Sequence, residues 1–150
     1  MAKITKISKK GLDIIKRFEG FSSTPYLCPA GVPTIGWGST RYSDGRKVKM
    51  TDPPLSKEEG ERLLISTLAS FERDVDAFCR DDINQNQFDA LVSFAYNCGS
   101  AALKGSTLLK KVNINPKDPT IKDAFIAWKY SGGKPLLLNR RLLEWELYNG

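Results

Sequence analysis

The chain has 150 residues, 41% of them hydrophobic, and a formal charge of +6 from 23 basic against 17 acidic residues. That length suits one compact domain, 1–150, burying roughly 68–70% of its unfolded surface, and the composition argues against disorder. Histidine is absent, which excludes Ser-His-Asp and Cys-His catalysis and H-E-x-x-H zinc sites.

The positive charge favours a polyanionic partner but does not choose among nucleic acid, anionic lipid and an acidic cell-wall polymer. The basic N-terminus "MAKITKISKKGLDIIKRFEG" has no continuous apolar core and no small-residue cleavage site, so no signal peptide is expected. No stretch approaches the ~20 apolar residues that span a bilayer. The three cysteines, Cys28, Cys79 and Cys98, are an odd number without C-x-x-C spacing, so neither a full disulfide framework nor a metal or redox motif is expected. Cys79 and Cys98 fall in helix-like segments and read as small buried hydrophobes.

Residues 8–19 predict a helix, with Ser8 as N-cap and Leu12, Ile15 and Phe18 along one face. Glu19 closes it, and Gly20 follows as a stop. Residues 25–49 predict a small three-stranded meander: "PYLC", a turn at Pro29-Ala30-Gly31, "PTIGWG", a turn at Ser43-Asp44-Gly45, then "RKVKM". Ser56 with Glu59 predicts a capping box before a long helix to about Cys79, broken at most once. Asn84 with Gln87 predicts another before "QFDALVSFAYNCG", whose stripe is Phe88, Leu91, Val92 and Ala95. A short helix is expected near 101–111. Thr120 with Asp123 is expected to cap "IKDAFIAWKYS", ending at Gly132-Gly133, and a last helix runs from about Leu138 to Tyr148. The class is α+β, a helix and small sheet followed by a mostly helical remainder.

Glu19 is the first candidate for chemistry. A glutamate at a helix end is ordinarily a solvated surface group. Here the negative end of the helix dipole and the flanking Phe18 and Phe21 both disfavour its ionised form, which suits a general acid. The turn after the helix folds Cys28 and Thr34 back toward it. Glycoside hydrolysis wants that arrangement: an acid on the leaving oxygen, and a second group that directs water or attacks from the other face.

Eight residues separate Glu19 from Cys28, and five separate Cys28 from Thr34. This order resembles the Glu-x8-(Asp or Cys)-x5-Thr motif of the phage-type lysozymes, glycoside hydrolase family 24. The blocks "FEG", "YLCPAGVPTIGWG", "INQNQFDALVSFAYNCGS" and "NRRLLEWELY" extend the resemblance from about Ile7 to Tyr148. It implies a lysozyme-like fold: an N-terminal helix and three-stranded sheet lobe, a larger helical lobe, and an active-site cleft between them. It implies Glu19 as general acid, Cys28 in the second catalytic position, and Thr34 helping to hold the attacking water. Asn97, Arg140 (with Arg141 its close rival) and Tyr26 are implied as substrate contacts. Read from residues alone, Thr34 is a strand threonine and Arg140 a surface cation, while Trp37 reads as packing. Two departures stand out: Cys28 replaces a frequent aspartate, and Ser39 replaces a frequent histidine, a loss expected to touch stability before catalysis.

The resemblance implies a muramidase acting on the β-1,4 bond between N-acetylmuramic acid and N-acetylglucosamine in peptidoglycan. It implies no metal or other cofactor, no nucleic-acid partner, no stable membrane insertion and a monomer. The enzyme would be held in the host cytoplasm until a holin releases it. A lytic transglycosylase and a non-catalytic wall-binding module are the alternatives. A nucleic-acid binder has only the net charge in its favour.

Overall fold

The computed structural model describes residues 4–150. Its described residues form two compact units, one of residues 15–70 and one of the residues up to 14 together with 71–150. The first division falls within helix α1 (Lys9–Glu19).

In the 15–70 unit, α1 ends where the sequence places its stop. Gly20 takes φ 69, a left-handed conformation open to glycine at little cost, and its N–H closes on the Lys16 carbonyl at 3.1 Å. Strand β1 (Ser22–Leu27) then pairs antiparallel with β2 (Pro33–Gly36), Tyr26 opposite Thr34 and Leu27 opposite Pro33. The expected third strand is not formed, and the sheet has two strands. Arg41 and Lys47 meet in a single isolated bridge. Beyond it the Lys49 N–H donates to the Asp52 carboxylate at 2.8 Å, and the chain turns at 50–51, which ends the pairing.

Val48 is buried all the same, clustered with Ile35 and Leu63 and flanked by Tyr42 and Leu55. Burying such a side chain contributes about 1.5–3 kcal/mol, so packing holds this segment in place of a ladder. Helix α2 (Lys57–Phe78) starts on the expected capping box: Ser56 Oγ accepts from the Glu59 N–H, and the Glu59 carboxylate accepts from the Ser56 N–H, both at 3.1 Å. The helix runs unbroken to Phe78.

The other unit is built around α3 (Gln85–Cys98), which packs on α7 (Leu138–Tyr148). The run Gln87–Ala95 of α3 is buried on all sides. The Asn84–Gln87 capping box is present, with the Gln87 N–H on Asn84 Oδ1 at 2.8 Å and the Asn84 N–H on Gln87 Oε1 at 2.9 Å. The helix expected near 101–111 is two helices, α4 (Ser100–Lys104) and α5 (Thr107–Ile114). Gly105 ends the first, and the Ser106 hydroxyl caps the second by accepting from the Leu109 N–H at 3.0 Å.

Ser8, the residue before α1, donates its hydroxyl and N–H to the buried Asp89 carboxylate. One expected cap is absent. Thr120 adopts helical backbone angles, and its N–H and hydroxyl both donate to Asp118, at 2.9 and 2.6 Å. Asp118 thus occupies Thr120, which makes no side-chain cap bond to the helix. Helix α6 (Ile121–Ile126) is correspondingly short of the expected end at Gly132-Gly133. Its Phe125 sits edge-on to Phe94 of α3, ring centroids 6.1 Å apart.

Candidate active site

Glu19, Tyr26, Cys28 and Thr34 all lie in the 15–70 unit, and local geometry explains why. Glu19 is the last residue of α1 and is half-buried. Phe21, two residues on, lays its ring 4.6 Å from that of Trp37. Trp37 is buried, with the Lys16 ammonium 4.9 Å over its ring, and Lys16 pairs with Glu61. Trp37 is therefore packing, as read from the sequence.

The β1–β2 hairpin sets the remaining three groups. Its turn closes with the Cys28 N–H on the Val32 carbonyl at 3.1 Å and the Gly31 N–H on the Cys28 carbonyl at 2.8 Å. Gly31 has φ 78 there. The thiol of Cys28 is held below the ordinary thiol range, chiefly by the backbone N–H groups of Val32 and Ala30, with the Thr34 hydroxyl adding to them. The phenol of Tyr26 is pushed up by burial first, then by negative charge on Glu19 and Cys28. Glu19, Tyr26 and Cys28 accordingly share one electrostatic neighbourhood.

Thr34 is buried, and its hydroxyl lies 2.9 Å from the Val32 carbonyl oxygen. A hydroxyl has one proton and a freely turning O–H. At 2.9 Å that proton is donated to the Val32 carbonyl. An acid, an activated thiol and a hydroxyl that accepts or donates can protonate a leaving oxygen and orient a water. Ser39 is buried too, its hydroxyl 2.9 Å from that of Thr67.

Asn97 and Arg140 belong to the other unit. Arg140 is not a surface cation but almost fully buried, its Nε 3.3 Å from Glu144 Oε2 and its Nη2 3.2 Å from the Ser93 carbonyl. Arg141 is fully buried beside it, with Nη2 2.7 Å from Asn97 Oδ1 and Nη1 2.7 Å from Cys98 Sγ. Its Nε lies 2.9 Å from Glu144 Oε1, an ion pair at a contact angle too poor for a hydrogen bond. Ser93 donates to Glu144 Oε2 at 2.6 Å. Burial pushes the Glu144 carboxyl up, while Arg141, Arg140 and the Ser93 hydroxyl oppose that shift.

Sequence reasoning missed Glu144 and Ser93. A signal for Glu144 was available, because "RRLLE" spaces both arginines i,i+3 and i,i+4 from the glutamate on one helix face. Among the described residues no cluster of three or more Cys, Asp and Glu converges as a metal site, and no helix is long and apolar enough to cross a membrane.

Comparison with known proteins gives the family and the fold. The family described as Phage lysozyme matches residues 16–144. The endolysin of Salmonella phage P22 is 37% identical over 95% of this chain and 97% of its own. The crystal structure of a P22 lysozyme variant superposes with a TM-score of 0.86 at 35% identity, covering 98% of this chain and all (100%) of the other. The endolysin from Escherichia coli O157:H7 phage FAHEc1 superposes with a TM-score of 0.84 at 37% identity, covering 95% of this chain and 92% of the other. The fold is lysozyme-like, and the chain belongs to the phage lysozyme family. It is a peptidoglycan hydrolase, an enzyme of the muramidase type.

Proposed function

We propose that this muramidase cleaves the β-1,4 bond between N-acetylmuramic acid and N-acetylglucosamine with Glu19 as general acid, while Cys28 and Thr34 hold the attacking water. The observation that supports the reading is that Glu19 ends α1 while Tyr26, Cys28 and Thr34 stand in the β1–β2 hairpin that follows it in the same unit. Glu19 donates its proton to the glycosidic oxygen as the bond breaks. A water held by Cys28 and Thr34 adds to the anomeric carbon from the other face and passes one proton to bulk solvent, from which Glu19 is reprotonated, so that one water is consumed per bond. Water-holding is assigned to Cys28 because it stands at the end of the β1–β2 hairpin that also carries Thr34.

Asn97, Arg140 and Tyr26 are proposed as the groups that hold the glycan. The chain is proposed to act as one catalytic domain and a monomer. It is held in the host cytoplasm, reaches periplasmic peptidoglycan after holin-dependent release, and takes no part in nucleic-acid binding or stable membrane insertion. The +6 charge supports a wall rich in carboxylates as the partner.

Glu19→Gln tests the assignment, because an amide keeps the shape and loses the proton. Clearing of permeabilised Gram-negative cells is expected to fall by about 10²–10⁴-fold with the thermal midpoint unchanged. Near-normal clearing by the folded variant would remove Glu19 from its role.

A further inference from the structure

We infer that Arg141 is a positioning residue that fixes the polarity of the Asn97 side chain, so that Asn97 meets the substrate with hydrogen-bond donors only. The inference rests on the proposal that Asn97 contacts the glycan. Arg141 comes from α7 and Asn97 from the last turn of α3. A guanidinium carries five N–H donors and no acceptor, so the Asn97 atom 2.7 Å from Arg141 Nη2 must be the amide oxygen. Cys98 Sγ lies 3.7 Å from the same oxygen. With the oxygen turned inward, the half-exposed amide retains its Nδ2 group, with two N–H donors, for a ligand.

The fork that imposes this orientation is itself fixed. Arg141 is fully buried and lies 5.0 Å over the Phe94 ring. Nη1 rests 2.7 Å from Cys98 Sγ, and Glu144 engages Nε and Nη2 at 2.9 and 3.4 Å. Glu144 is anchored in turn by the Ser93 hydroxyl and Arg140. A bidentate guanidinium is not replaced by a lysine ammonium in such a place. The ligand chemistry follows: a donor-only amide reads an acceptor, and the acetamido carbonyl that each peptidoglycan sugar carries is a strong one. A de-N-acetylated sugar presents an ammonium there and offers no acceptor. The buried arginine therefore helps the enzyme prefer N-acetylated glycan without touching it.

The test uses the full chain and soluble peptidoglycan fragments, N-acetylated or chemically de-N-acetylated. Asn97→Asp keeps size and keeps the Arg141 contact as an ion pair, but has no N–H to offer. Its thermal midpoint should hold or rise, while KM for the acetylated fragments rises roughly tenfold and the preference over de-N-acetylated fragments is lost. Arg141→Met, which fills the space without a donor, should raise KM and erase the same preference with kcat largely kept. The double variant should be no worse than Asn97→Asp, because both changes act on one contact. Additive losses, or a folded Arg141→Met enzyme with wild-type KM and preference, would overturn the inference while leaving Asn97 as a contact. If both Asn97→Asp and Asn97→Ala keep wild-type KM, the glycan contact itself fails and the inference fails with it. Should Arg141→Met not fold, Asn97→Asp decides alone: a raised KM with lost preference and an intact midpoint supports the inference, and an unchanged KM overturns it.

Discussion

Cys28 is the residue on which the proposed chemistry turns. A thiol has a reference pKa of about 8.5, and the hairpin amides hold that of Cys28 lower. Burial drives the thiols of the other two cysteines the other way, Cys79 to about 12 and Cys98 upward against the pull of Arg141. Iodoacetamide should therefore label Cys28 well before the others at neutral pH, with a reactivity midpoint below that of a free thiol. Mass mapping across pH checks this, and a midpoint at or above the ordinary value would contradict it. As a water-holder Cys28 should tolerate Cys28→Asp with substantial activity, whereas Cys28→Ala should lose most of it. An active Cys28→Ala enzyme, or a sugar–thioether adduct on Cys28, would contradict water-holding. The spacing of Glu19, Cys28 and Thr34 made this triplet legible in the sequence as a motif, and the structure places its members on the end of α1 and in the hairpin that follows. Arg140 was legible as a residue, but its burial was not, because its guanidinium bonds Ser93, 47 residues away.

At the scale of elements, what reads correctly from sequence is what neighbours decide. The Ser56–Glu59 and Asn84–Gln87 boxes each close within one turn, and the Gly105-Ser106 junction separates α4 from α5 by the same local chemistry. The third strand and the Thr120 cap both give way to a local turn that holds an aspartate, the turn at 50–51 with Asp52 in one case and Asp118 bonded by the Thr120 N–H and hydroxyl in the other. Helix α2 also carries a glycine that helix propensity alone would replace. Gly→Ala within a helix ordinarily gains about 1 kcal/mol. A Cβ on Gly60, however, would lie 2.7 Å from the Phe21 ring and 3.3 Å from that of Trp37, and those rings pack against each other. Overpacking of this kind costs about 1–3 kcal/mol, so Gly60→Ala should lower stability in urea unfolding while Ser66→Ala, exposed on the same helix, should not. A stabilised Gly60→Ala protein would show that Phe21 yields freely.

For the whole molecule, charge and chemistry make separate predictions. The +6 charge should draw the enzyme to the wall through long-range attraction, which salt screens over about 30 Å at 0.01 M and about 8 Å at 0.15 M. Binding of a Glu19→Gln protein to purified walls should weaken several-fold across that range, and salt-independent binding would assign attachment to short-range contacts alone. The central claim is hydrolysis by Glu19 with a water held at Cys28 and Thr34. Mass spectrometry of muropeptides released from purified peptidoglycan tests it most directly. The account predicts fragments that carry one added water and end in a reducing N-acetylmuramic acid, absent when Glu19→Gln replaces the wild type. Anhydro-sugar ends lacking that water, or reducing fragments released equally by Glu19→Gln, would contradict it.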